Sequence, residues 1–115
     1  MAKILVIDDE APILNLMGKS CRMQGHQVSE VLTGRDGIIA LDADTPDLMI
    51  VDLKLGDMDG LDVIRYGNEH HPSVQVIMVT GNGTIESAVE AMRLGAFDYL
   101  TKPFELADLQ KTVEL

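Results

Sequence analysis

Four stretches of the sequence carry groups that could do chemistry together: Asp8-Asp9 with Glu10 next, Asp52, Thr80, and Lys102 followed by Pro103. Carboxylates brought close repel one another and call for a cation. An oxygen-only set, with neither a cysteine cluster nor a histidine pair, suits a hard ion, Mg2+ before Zn2+. A carboxylate beside such an ion, with an ammonium and a small hydroxyl at hand, is equipped for phosphoryl transfer. The ion and the ammonium neutralise charge on the transferring group, and the hydroxyl hydrogen-bonds one of its oxygens. One carboxylate can then act as nucleophile and form an aspartyl phosphate. Taken singly, each piece has a plainer reading. An aspartate at a strand end often only caps a helix, Thr80 reads as a turn residue, and Lys102 as a solvated side chain. The set gains its weight from where its members fall along the chain.

Three of the groups follow short apolar runs: Ile4-Leu5-Val6-Ile7, Leu48-Met49-Ile50-Val51 and Val74-Gln75-Val76-Ile77-Met78-Val79. Continuous apolar runs of this length predict strands buried on both faces, as in a parallel sheet. His26-Gln27-Val28-Ser29-Glu30-Val31 alternates and predicts an edge strand. Phe97-Asp98-Tyr99-Leu100 predicts a fifth, ending at Thr101-Lys102-Pro103. Helical spacing fills the gaps. Ile13, Leu16, Met17 and Cys21 share a face, with Pro12 near the start, where its missing N–H costs little. Thr33 followed by Asp36 reads as a cap before a helix carrying Ile38 and Leu41. Leu61 and Ile64 mark a third helix. Ile85, Ala88, Val89 and Met92 mark a fourth, ended by Gly95 as a left-handed cap. Leu106, Leu109 and Val113 mark a fifth, which runs into the end of the chain without a stop signal. The pattern is (βα)5, a single α/β domain over residues 1–115 with one doubly wound, five-stranded parallel sheet. In such sheets ligands bind at the carboxyl ends of the strands, which is where the acids, Thr80 and Lys102 fall.

Composition narrows the function classes. Hydrophobic residues make up 46% of the 115 and charged residues 24%, which fits a globular domain rather than a disordered one. No apolar run is long enough to span a membrane. The N-terminal run is too short for an export signal and ends in two acids, so a cytoplasmic location is expected. Cys21 is the single cysteine and cannot form an internal disulfide. Nineteen acids against nine Lys and Arg give a net charge of −10, which disfavours direct binding to nucleic acid or to an anionic membrane surface.

At this point the sequence resembles the receiver domain of a two-component response regulator. The resemblance covers essentially the whole chain. It rests on Asp8-Asp9 after the first run, Asp52 after the third strand, Met58-Asp59-Gly60 beyond it, Thr80-Gly81 after the fourth, and Lys102-Pro103 after the fifth. It implies a flavodoxin-like strand order 2-1-3-4-5. It also implies that Asp52 accepts a phosphoryl group from a histidine kinase, a phosphotransfer protein or a small phosphodonor. Asp9, Asp52 and the backbone carbonyl of Lys54 would bind Mg2+ directly, and Asp8 through a water. Lys102 would pair with the phosphoryl oxygens. Thr80 would hydrogen-bond the phosphoryl group and move toward it, with Tyr99 as the switch aromatic, and the Lys102–Pro103 peptide would be cis. Such a domain is a phosphoacceptor switch that promotes its own phosphorylation and dephosphorylation rather than an enzyme acting on a separate substrate.

The segment from Thr80 to Phe104 further resembles receivers joined to AAA+ activators of the nitrogen-regulator class. No output domain lies within the 115 residues, so an output domain or a downstream protein is an expected partner. The surface formed by the fourth helix, fifth strand and fifth helix is expected to dock that partner or a second copy of the chain. Its outer side would offer Glu86, Glu90 and Arg93, with Ile85 and Met92 nearer the edge. Gly81-Asn82-Gly83 would be the hinge. Two positions depart from the common pattern. Gly56 stands where the family usually has proline, which predicts a less restricted loop, and Lys54 places a cation two residues after the acceptor.

Three other readings compete. A haloacid-dehalogenase-like phosphatase would use Asp8 as nucleophile, but Asp8-Asp9-Glu10-Ala11 lacks that family's Asp-x-Asp. A flavin or dinucleotide module would need a third glycine where Glu86 stands. A pseudo-receiver would bind without being phosphorylated, against which the intact acid set argues.

Overall fold

The computed structural model describes residues 1–81 and 83–114. Strands and helices alternate strictly: β1 (Lys3–Ile7), α1 (Ala11–Met23), β2 (Gln27–Val31), α2 (Gly34–Ala43), β3 (Leu48–Val51), α3 (Gly60–His70), β4 (Gln75–Thr80), α4 (Ile85–Arg93), β5 (Asp98–Thr101) and α5 (Leu106–Val113). The strands form one parallel sheet in the order β2-β1-β3-β4-β5. The apolar runs of β1, β3 and β4 occupy its centre, where both faces are covered. The alternating β2 lies at one edge, as its pattern predicted.

Successive side chains of each central strand feed two separate cores. Ile4, Val6, Leu48, Ile50, Ile77 and Val79 pack with Leu14, Met17 and Cys21 of α1 and with Leu109 and Val113 of α5. Leu5, Ile7, Met49, Val51, Val76 and Met78 pack with Leu41, Val63, Ile64 and Ala91 from α2, α3 and α4. This is the doubly wound arrangement. Burial pushes the Cys21 thiol up to about 11, so it stays protonated and behaves as a small apolar side chain at neutral pH.

The helix starts follow local chemistry. Thr33 Oγ1 accepts the Asp36 N–H at 3.0 Å, the cap expected from the sequence. Asp59 Oδ1 accepts Leu61 N–H at 2.9 Å at the start of α3, and Thr84 and Ser87 form a reciprocal capping box on α4. Gly95, at φ 107°, turns the chain out of α4 as anticipated.

Three details differ from the sequence reading. In α1 Leu14 rather than Leu16 faces the core, and Leu16 is exposed. β5 begins at Asp98, leaving Phe97 outside the strand and exposed. The largest difference is α4. Ile85, Val89 and Met92 do share a face, but it points outward, and Ile85 is 85% exposed. Ala91 is the one fully buried residue of this helix, and Glu90 is half-buried. Helical periodicity states which residues lie together, not which way they point. Here the small side chains face the sheet and the large apolar ones face away. Among the described residues no helix is long and apolar enough to cross a membrane.

Candidate functional site

The pairing of β1 with β3 sets Ile7 beside Val51. Asp8 and Asp52, one step further along each strand, therefore emerge side by side at the carboxyl edge of the sheet. Their backbones stay tied, with Asp52 N–H donating to the Ile7 carbonyl at 3.0 Å and Asp8 N–H to Val31 at 3.2 Å. Both are buried: Asp8 is 0% exposed and Asp52 3%. Lys102 reaches in from the end of β5. Its Nζ lies 2.7 Å from Asp8 Oδ2, 3.0 Å from Asp52 Oδ2 and 3.2 Å from Glu10 Oε1. Burial pushes the Asp8 carboxyl above the ordinary value, outweighing the stabilisation from Lys102 and from the Glu10 N–H that donates to Asp8 Oδ1 at 2.9 Å. Burial also works against the charge on Lys102. Its hydrogen bonds and attraction to Asp8 and Asp52 win, and hold its pKa above the ordinary lysine range.

Single carboxylate oxygens of Asp8, Asp9, Glu10 and Asp52 all lie within 4.8 Å of one another. Lys102 contacts three of these four acids. Among the described residues Asp52 Oδ1 is buried without a hydrogen-bond partner, and Asp8 Oδ2 has only the ion pair with Lys102. Unpaired buried carboxylate oxygens beside exposed acids are what a hard divalent cation satisfies, so the residues present fit Mg2+. Glu10 belongs to this cluster although the sequence reading kept it out of the ligand set. The unbroken run Asp8-Asp9-Glu10 was the available signal.

The Met58-Asp59-Gly60 stretch lies against the Asp52 backbone and the start of α2. A Cβ on Gly60 would collide with the carbonyl of Asp52, so glycine lets α3 start directly against the Asp52 backbone. Asp59 caps that start, and Met58 lies over Gly34 of α2. Gly56 lies by Asp9, with a Cβ position 3.9 Å from Asp9 Oδ2, and adopts φ 80°. The loop expected to be less restricted is therefore held in a backbone state that proline, with φ fixed near −65°, cannot enter. Gly56→Ala is expected to cost about 1–2 kcal/mol, and Gly56→Pro more than that. Urea midpoints check both, and equal stability of all three proteins would refute the assignment of φ. The Lys54 side chain points to solvent, and its backbone bridges to Asp59.

Thr80 is fully buried at the end of β4, beside the strand that carries Asp52, and its carbonyl accepts the Lys102 N–H at 3.0 Å. The Lys102–Pro103 peptide is cis. Tyr99 is half-buried on β5. Its hydroxyl occupies the space a Cβ on Gly83 would take, so the ring lies against the loop between β4 and α4. The expected hinge, Gly81-Asn82-Gly83, is seen only at its two glycines, since Asn82 lies outside the described residues.

The raised Asp8 pKa has a measurable sign. The folded state binds the Asp8 proton more tightly than the unfolded chain, so Asp8 costs stability above its folded pKa and nothing below the ordinary carboxylate value. Asp8→Asn is therefore expected to gain on the wild type as pH rises through this window. Urea unfolding at pH 3 and pH 7 tests it, and a gain that shrinks with pH would be the wrong sign.

A parallel sheet in this order, with an aspartate buried among acids beside a lysine at its switch point, is the arrangement that the receiver resemblance implies. Comparison with known proteins agrees. The chain belongs to the response regulator receiver domain family, whose model matches residues 4–114. It is 41% identical over 108 residues to the luminescence regulatory protein LuxO of Vibrio campbellii, covering 94% of this chain and 24% of that protein. It is 31% identical over 111 residues to the DNA-binding transcriptional regulator NtrC of Proteus hauseri, covering 96% of this chain and 24% of that one. The solution structure of the beryllofluoride-activated NtrC4 receiver domain dimer superposes with a TM-score of 0.91 at 28% identity, covering 97% of this chain and 93% of that one. The chain thus spans about a quarter of the length of the curated relatives it matches.

Proposed function

We propose that residues 1–115 form one receiver domain in which Asp52 accepts a phosphoryl group from the phosphohistidine of a sensor kinase or phosphotransfer protein, or from a small phosphodonor. The observation that carries this is the pairing of a buried, unpartnered Asp52 Oδ1 with a lysine already in contact with the other oxygen. An Asp52 oxygen attacks phosphorus, the bond to the donor's nitrogen or oxygen breaks, and the donor leaves with its electron pair. Lys102 is placed to neutralise the phosphoryl oxygens, and the Thr80 hydroxyl to hydrogen-bond one of them. Asp9, Asp52 and the Lys54 carbonyl would hold Mg2+, with Asp8 acting through a water and Glu10 at the rim. The ion would supply charge neutralisation between acceptor and donor. The chain acts on itself, as a cytoplasmic switch rather than an enzyme with a separate substrate.

The output is a population shift in the face made by α4, β5 and α5, driven by the phosphoryl group's contacts with Thr80 and Lys102 and accompanied by Tyr99. The exposed Ile85, Val89 and Met92 give that face an apolar stripe. It suits an output domain of the nitrogen-regulator AAA+ type or a second copy of the chain; the similar NtrC4 receiver domain is a dimer when activated by beryllofluoride. Incubation with Mg2+ and acetyl phosphate is expected to add one phosphoryl group, mapped by mass spectrometry to Asp52. Labelling at Asp8 would indicate a dehalogenase-like phosphatase instead, and no labelling a pseudo-receiver.

A further inference from the structure

The loop between β3 and α3 does more than connect the acceptor strand to a helix. At its tip, Asp57 reaches across to the start of α2. Its Oδ1 accepts the Gly34 N–H at 2.9 Å and its Oδ2 the Arg35 N–H at 3.0 Å. Thr33 satisfies the next two donors of the same helix, its Oγ1 taking Asp36 N–H and its carbonyl taking Gly37 N–H, each at 3.0 Å. Of the amides that a helix start leaves open, Gly34, Arg35 and Asp36 are thereby paired, and Gly37 makes the first ordinary helical bond; two of the three are held by a residue 22 or 23 positions away. The same contact is packed as well as bonded. Met58 fills the space a Cβ on Gly34 would need, with Leu55 beside it. The two backbone donors hold the Asp57 carboxyl below the ordinary range.

This tether bears on the site because of what lies between it and Asp52. Leu55 is buried and fixed by its N–H to the Met58 carbonyl at 3.3 Å. Gly56, immediately before Asp57, is the loop residue beside the Asp9 carboxylate. Lys54 and Gly56 therefore sit between two anchors, the Asp52–Gly60 contact at the base and the Asp57 cap at the tip.

We propose that Asp57 is a positioning residue for the phosphoacceptor site, its capping of α2 holding the Lys54–Gly56 backbone at the edge of the acid cluster and linking occupancy of that cluster to the start of α2. The proposal rests on the receiver reading above, in which the Lys54 carbonyl is a ligand. It concerns a residue that touches neither metal nor phosphoryl group.

The test compares Asp57→Ala, Asp57→Asn and Thr33→Ala with the wild type. Thr33→Ala removes a cap from the same helix without touching the loop, so it separates loop positioning from helix stability. Two readouts are taken on each protein: the Mg2+ concentration giving half the maximal shift in amide NMR signals and in thermal midpoint, and the rate of acetyl phosphate labelling at saturating Mg2+. Asp57→Ala is expected to raise half-saturating Mg2+ by about tenfold, as loss of outer-shell support for a metal site does. Asp57→Asn, which keeps one acceptor, should fall between it and the wild type. Thr33→Ala should lower the thermal midpoint with no change in half-saturation. In the wild type the Gly34 and Arg35 amides should shift on Mg2+ addition, and in Asp57→Ala they should not. Unchanged half-saturation in both Asp57 variants, or an equal change in Thr33→Ala, overturns the proposal. If Asp57→Ala does not fold, Asp57→Asn carries the comparison alone. Failure of the wild type to bind Mg2+ or to be labelled at Asp52 would instead refute the receiver reading.

Discussion

Replacing Lys102 by alanine is expected to destabilise the metal-free protein by about 3–5 kcal/mol at neutral pH, the usual cost of removing one partner from a buried ion pair. The Lys102 side chain is 10% exposed and contacts the carboxylates of Asp8, Asp52 and Glu10. Among the described residues no other cation is ion-paired to this cluster, so the variant leaves two buried carboxylates facing each other and two more at the rim. The raised Lys102 pKa means that its contribution is complete below the ordinary lysine value and is lost only as pH rises through the higher folded one. The whole effect is therefore present at pH 7. Two features separate it from a packing defect. Lys102→Met, which keeps most of the apolar stem, should lose nearly as much. Millimolar Mg2+, or acidification into the range where Asp8 takes up a proton, should restore part of the loss. Urea unfolding with and without Mg2+ measures both, and a loss below about 1 kcal/mol, of the size found for surface pairs, would show that the lysine is not what holds the acids together.

The second large effect is expected at a residue with no functional group. In Gly60→Ala the added methyl would meet the backbone of Asp52 and Leu53 rather than a side chain that could swing away. Overpacking typically costs about 1–3 kcal/mol, with rigid neighbours at the upper end, so about 3 kcal/mol is expected here. Relief requires α3 or the Asp52 backbone to move. Acetyl phosphate labelling of the folded variant should therefore fall by about tenfold or more, since misplacement of a reacting group by an ångström is felt strongly in rate. Gly67, in the same helix, has a Cβ position no closer than 3.5 Å to any neighbour and serves as the control. If Gly60→Ala and Gly67→Ala behave alike, contact with the Asp52 backbone is not the reason for glycine at position 60.

The sequence made the strands legible because β1, β3 and β4 are buried on both faces, so no choice of side had to be made. The same property marks Asp8, Asp52 and Thr80, which are the polar residues at which those apolar runs stop. Lys102 could be placed only through the strand order, since nothing local to Thr101-Lys102-Pro103 says which acids it meets. Where a face had to be chosen, pattern alone fell short. The stripe Ile85, Val89 and Met92 has core-like spacing and lies in solvent, while Ala91 does the packing. Asp57 gave no signal either, because its partners are backbone amides more than 20 positions away and any residue type supplies those. Gly56 was visible as a departure from the family's proline, but its sign was not. A glycine reads as freedom in a sequence, and here it serves a single left-handed conformation.

The outward stripe of α4 separates two demands that usually compete. α1 and α3 are built into the body of the protein through several buried residues each, whereas α4 rests on Ala91. Exposed side chains away from such footholds change stability little when substituted. The residues that would choose a partner on this surface can therefore vary almost independently of those that keep the domain folded and the acid cluster assembled. A lineage of such chains could acquire new partners one substitution at a time, leaving the acid cluster untouched, and the choice of partner would evolve separately from the site at the sheet's edge.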